Sequence, residues 1–229
     1  MNAKSRRQIE MGRRVLEFVR QHPDQSPAFV AAVTRLQERL GRAALLGQQQ
    51  LDGRSEVHAA TARKADLRKL MLKAHLDHLI NVARIAAIEE PELLQKFTFP
   101  EDAPTYLAFQ TAASGLAAEA ESRKELLVKH GLSEDVLSDL KVNLDQFQVA
   151  VEQDAAGRLV HVGASAELIT VSEELVQVVK VMNGLVHIRF ANQPEVLAAW
   201  ESASNVFGPI RTESKPVPDT SGGNVTPAA

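Results

Sequence analysis

The densest group of residues able to do chemistry is Lys73-Ala74-His75-Leu76-Asp77-His78. Two imidazoles at i and i+3 stand one helical turn apart and can share a metal ion, and the carboxylate of Asp77 lies beside them. A di-metal carboxylate bundle also needs a Glu three residues before a His, and none of the seven histidines has one. In helical projection His75 lies beside Leu72 and Leu79, while His78 falls in line with Met71, Ala74 and Val82. Ordinary core and boundary histidines are therefore the expected reading, no cofactor is expected, and a metal- or His-dependent enzyme ranks third among functions. A second polar group, Asp154, Arg158, His161 and Ser165, could pass protons. No Gly-x-Ser-x-Gly elbow accompanies it, no Gly-rich phosphate loop occurs, and a solvated turn is the simpler account.

Positive charge is patterned as well. Arg6-Arg7 and Arg13-Arg14 are seven residues apart, so one Arg of each pair stacks above its counterpart, and Arg63, Lys64, Arg68 and Lys69 repeat the idea further on. Such stripes can bind nucleic acid or another anionic surface by releasing counterions. Aromatic residues to stack on bases are lacking there, and no helix-turn-helix spacing is convincing. A basic face paired with acidic helices of the same or another subunit, or with an acidic protein partner, is the expected use.

Helices must carry these groups. Aromatic residues make up only 4% of the chain against 45% hydrophobic residues overall, which leaves the core to Leu, Val, Ile and Ala and favours closely approaching helices. With no Cys, disulfides, thiolate nucleophiles and Cys-based zinc sites are ruled out. No apolar run approaches the ~20 residues that span a bilayer, and the charged first twenty residues leave no room for a signal peptide, so a cytoplasmic protein is expected.

The spacing predicts a helix from about Ala3 to Gln21, stopped before His22-Pro23, and a second capped by Ser26 with Pro27 at its first position. The second reaches at least Gly47. A helical pattern from about Arg54 to Glu90 follows, either after a turn at Gly53 or as one long helix, since the three-four phase from Phe29 runs through Val57, Met71 and Val82 without a slip. An Ala-rich helix is expected from near Pro104 to His130, closed by Gly131, and the next begins after Ser133. One stripe, Leu137, Leu140, Leu144, Phe147 and Val151, and another, Leu168, Val171, Leu175, Val178, Met182 and Leu185, are in phase. A turn near Gly157 to Gly163 is nevertheless expected between them, because each Gly costs about 1 kcal/mol inside a helix. A last short helix from Pro194 should set Trp200, Val206 and Phe207 against the bundle, and the Pro/Gly/Ser/Thr-rich residues 208–229 read as a disordered tail.

The segments Ser122 to Gly131, His161 to Leu168 and Ala199 to Asn205 resemble those of an all-helical bacterial family with no assigned activity. That resemblance extends over most of the chain except the tail. It implies a natural helical protein and carries no catalytic residue.

The expected fold is an all-α, mostly antiparallel bundle of four to six helices over residues 1–207. The leading function is a noncatalytic structural or interaction protein that self-associates through the stripe from Leu168 to Leu185, with nucleic-acid binding as the alternative. Charge decides that order. Residues 1–84 hold 16 Lys+Arg and 8 Asp+Glu, a balance of +8, and residues 85–229 a balance of -11, inside a total of -3. Opposite halves can attract one another within or between copies.

Overall fold

A computed structural model describes residues 1–100 and 105–208. The expected tail beyond Gly208, and the start of a helix at Pro104, lie outside the described residues. Among those described the chain is all α, with no strand.

α1, Ala3–Gln21, starts where the Asn2 side chain accepts a hydrogen bond from the Ser5 amide at 2.7 Å, and it stops at His22, ahead of Pro23. α2 runs from Pro27 to Leu70 without interruption, so Gly53 makes no turn. It passes directly into a π-helical turn, Met71–Leu76, and α3, Asp77–Ala86, then the short α4, Leu93–Lys96. α5, Tyr106–Ser122, is capped by the Thr105 hydroxyl, which accepts from the Ala108 amide at 3.1 Å. The single helix expected here is broken at Arg123, after which α6 runs from Lys124 to Lys129. The break accompanies two ion pairs, Arg123 to Glu90 and to Glu92, both at 2.7 Å. Gly131 closes α6 at a φ of +103°, a conformation that favours Gly. There the Leu132 amide donates back to the Leu127 carbonyl at 2.9 Å and the Leu132 side chain is buried.

α7 spans Glu134–Arg189. The turn expected near Gly157 to Gly163 is therefore absent, and the two in-phase stripes belong to one helix. α8, Pro194–Ser204, buries Trp200, whose indole N–H donates to Asn183 at 2.7 Å. Phe207, expected against the bundle, is 85% exposed. Its ring faces the Arg7 guanidinium at 5.9 Å instead.

The chain divides into two compact units, to both of which α2 and α7 contribute. The first comprises Met1 and Ala44–Ile169, the second Asn2–Ala43 and the described chain from Thr170 onward. In the first, the π turn and α3 to α6 bury Leu76, Leu79, Leu93, Leu116 and Leu127 around Phe109 and Phe147, whose rings are 5.6 Å apart. In the second, Val15, Phe18, Phe29, Leu36, Leu175 and Trp200 are buried, with Phe18 and Trp200 edge-on at 5.2 Å. Each fully buried side chain of this size contributes about 1.5–3 kcal/mol relative to exposure.

Candidate functional site

The first unit holds a segment in which polar and apolar residues have exchanged places. On α2 the inward positions Gln50, Gly53, Val57, Ala60, Lys64 and Leu67 alternate in steps of three and four. On α7 the core stripe from Phe147 and Ala150 continues through Asp154, Gly157, His161 and Ala164 to Leu168. Six of these thirteen inward residues are polar or Gly.

Their contacts run as a ladder. Gln50 Nε2 donates to Ser165, Gly53 meets Gly157, and Lys64 meets Asp154, so residues rising along α2 face residues falling along α7. At the glycine step a Cβ on Gly53 would sit 2.8 Å from the Gly157 carbonyl oxygen, and one on Gly157 would sit 2.9 Å from that of Gly53. Any side chain at either position would push the backbones apart. Gly157, whose helix cost argued for a turn, and Gly53 opposite it are the reason the helices can approach this closely.

Lys64 and Asp154 make a buried ion pair at 2.9 Å, the Lys64 ammonium also lies over the Tyr106 ring at 4.7 Å, and the guanidinium of Arg158 reaches the same carboxylate at 3.2 Å. Burial pushes the Asp154 carboxyl up, but the hydrogen bonds and charges of Lys64 and Arg158 outweigh it and hold the group below its ordinary value. On the other side of the glycines Gln50 also accepts from the Met1 ammonium at 2.6 Å. His161 Nδ1 lies 3.0 Å from the Gln50 carbonyl, an oxygen that only accepts, so that nitrogen carries the proton. Ser165 bonds back to the His161 carbonyl at 2.7 Å. Every hydroxyl, amide and ion here is spent on a neighbour. The Lys64–Asp154 pair ties α2 to α7 at this level.

One residue out of step, α7 turns Ala155, Leu159, Val162, Ala166 and Ile169 outward, again in steps of four and three. Leu159 is 76% exposed, Val162 63% and Ile169 43%, and Leu51 of α2 is 61% exposed. From Ala155 to Thr170 the only charged residues are Arg158 and Glu167. The three-four spacing of this stripe is visible in the sequence, beside the longer stripe from Leu168.

The structure disperses the other candidates. His75 is buried, with Nε2 3.0 Å from the Asn143 amide nitrogen, while Asp77 and His78 are exposed. The π turn supplies the reason: its i→i+5 bonding changes the helical phase, so His78 is not in line with the buried Met71. Among the described residues no three His, Cys, Asp or Glu converge as metal ligands. Of the basic residues, Lys64 is committed to Asp154, Arg68 lies over Phe109 at 5.2 Å, and Arg63 reaches Gln146 at 3.4 Å. Lys69, Arg6, Arg7 and Arg13 are exposed, and Arg14 is half-buried, donating to the Asn205 carbonyl. The stripe proposed for self-association is largely used within the chain: Leu168, Val171, Leu175 and Met182 are buried, Val178 and Leu185 half-buried. Among the described residues no helix is long and apolar enough to cross a membrane. No family model matches the chain, nor does any curated protein or solved structure, so the family resemblance adds nothing to this geometry.

Proposed function

We propose that the protein is a noncatalytic structural or interaction protein of the cytoplasm that self-associates, built on α2 and α7 as antiparallel partners in a bundle. One observation carries this reading: around Gly53 and Gly157 the chain places polar groups between its two helices and Leu51, Leu159, Val162 and Ile169 on the outside. Exposed apolar side chains scattered singly are ordinary, whereas a contiguous row at heptad spacing marks an interaction surface. The surface lies on helices fixed by buried contacts, which suits assembly better than induced chemistry. Light scattering across a concentration series tests the reading. The mass should rise with concentration and should do so in high salt as in low, since apolar contacts are not screened. A monomer at every concentration up to about 100 µM, far above the ~1 µM dissociation constant of a modest complex, would exclude it.

A second reading, nucleic-acid binding, is favoured only by the exposure of Arg6, Arg7 and Arg13 along α1. It requires affinity that falls steeply with salt and with removal of residues 1–21. Failure to shift DNA or RNA at ~50 mM salt rejects it.

A further inference from the structure

Arg54 and Arg158 each follow one of the two facing glycines, Gly53 on α2 and Gly157 on α7. One residue past an inward position a helix has turned by about 100°, so both side chains stand at the flank of the seam rather than inside it. Because the backbones meet at the glycines, the two flanks close into one groove. Arg54 and Val57 of α2 and Arg158, His161 and Val162 of α7 line it, and its volume of about 320 Å³ falls in the range of small-molecule sites. The groove belongs wholly to the first unit.

None of these five residues is acidic. Arg158 is oriented rather than consumed: its Nε donates to both Asp154 oxygens, at 3.2 and 3.3 Å, which leaves its two terminal nitrogens for another partner. Asp154 is balanced in turn by Lys64. Arg54 reaches His58 at 3.5 Å, too long for a firm hydrogen bond, and is paired with no carboxylate among the described residues. Two guanidiniums on the rim of one groove repel one another until an anion lies between them. His161 completes the set. Its Nδ1–H is held by the Gln50 carbonyl at 3.0 Å, so the ring is fixed and Nε2 is the atom left to meet a ligand. We propose that this groove binds a phosphate monoester, with the phosphate between Arg54 and Arg158, one of its oxygens on His161 Nε2, and the esterified group against Val57 and Val162. One chain builds the whole site, so the proposal goes beyond self-association and does not depend on it.

The chemistry of these groups selects the ligand. A guanidinium presents parallel N–H groups that match two oxygens at once. A carboxylate has only two oxygens and is satisfied by one such fork, which leaves the second guanidinium uncompensated. A phosphate monoester has three terminal oxygens and a charge of about -1.5 to -2 at neutral pH, enough for both. The proton needed between an oxygen and Nε2 comes from the monoester, whose second ionisation lies near pH ~6. Val57 and Val162 give the organic part of the ligand an apolar wall, which inorganic phosphate cannot use.

The full chain is titrated with phenyl phosphate, inorganic phosphate and benzoate in ~0.1 M NaCl, where attraction beyond about 10 Å is screened, and the imidazole proton resonances are followed. Phenyl phosphate should bind with a dissociation constant of about 1 mM or below, severalfold tighter than the other two, and should move the His161 resonance. A shift confined to other imidazoles overturns this location. Equal binding of benzoate overturns phosphate as the recognised group, and equal binding of inorganic phosphate overturns the valine wall and with it the monoester. Arg54→Gln, at an exposed position, should weaken phenyl phosphate about tenfold through loss of one charge-assisted pair. Arg63→Gln removes the same charge from α2 outside this groove and should change binding by less than about twofold. Equal weakening by the two variants overturns the site in favour of general attraction to a basic helix. No binding of phenyl phosphate up to ~10 mM overturns the proposal outright and leaves self-association, read by light scattering, standing.

Discussion

α7 carries two apolar rows one residue out of step, and they meet opposite fates. The row Leu168, Val171, Leu175 and Met182 is at most 3% exposed, while Leu159 and Val162 of the row Ala155 to Ile169 are 76% and 63% exposed. Heptad spacing states that a face is to be covered, and it does not state by what. Composition separates the two cases. Where the inward register holds Leu, Val and Met, the chain's own helices close on it. Where the same register passes through Asp154, Gly157 and His161, the chain closes on hydrogen bonds and an ion pair, and the apolar residues stand one position outward. The inward polar contacts fix which residues of α2 and α7 meet, because a shift along the helix would leave a buried Lys64 or Asp154 without its partner.

The largest expected effect tests whether that polar filling specifies or stabilises. Lys64→Met leaves the buried Asp154 with only the exposed Arg158, and should cost about 3 kcal/mol in urea denaturation, near the low end for one-sided loss of a buried pair. Lys64→Met with Asp154→Leu should be neutral or more stable, by ~1–4 kcal/mol. A double variant as unstable as the single one would show that the pair stabilises outright. Acid probes the same group. The Asp154 carboxyl titrates below its ordinary value of about 3.9 when folded. Its contribution is therefore fully present above that value and is lost as pH falls through the lower folded value. The double variant should lack this part of the acid transition.

Truncation compares the rows directly. Leu175→Ala should destabilise by about 2–5 kcal/mol because it opens a cavity, whereas Leu159→Ala should change the monomer by less than about 0.5 kcal/mol. Both are measured at protein concentrations too low for association. The same Leu159→Ala change should weaken self-association at higher concentration, and a large loss in the dilute monomer would show that the outward row is covered within the chain.

Several helix ends were legible because they are chemical: Pro23, Ser26, Pro27, Gly131, Ser133 and Pro194 mark boundaries that the structure keeps to within a residue or two. Two things were not. Whether Gly53 and Gly157 bend or pack depends on what stands opposite each, and a propensity of about 1 kcal/mol per Gly is smaller than the packing it permits. The π turn at Met71–Leu76 also escaped, since hydrophobic spacing assumes a constant 3.6 residues per turn, and that assumption carried His78 to the wrong side. Asp154, Arg158, His161 and Ser165 stand out in the sequence as a polar group, but they lie on one continuous helix and not in the expected turn.

The smallest expected effect separates packing from propensity at the glycines. Gly184 lies on α7 with nothing within 4 Å of where its Cβ would stand. Gly184→Ala should therefore stabilise by about 0.4–1 kcal/mol, through helix propensity and a less flexible unfolded chain. Gly157→Ala gains the same propensity, yet its methyl group would meet the Gly53 carbonyl oxygen at 2.9 Å and Val57 at 3.1 Å. Main-chain atoms cannot rotate away, so the helices must separate and weaken the Lys64–Asp154 and Gln50–Ser165 contacts on either side. A net loss of about 1–2 kcal/mol is expected, within the range for overpacking. Opposite signs for two Gly→Ala changes on one helix, read as shifts in the urea midpoint, would show that Gly157 is held by the facing backbone. Equal gains would show that the two helices are free to part there.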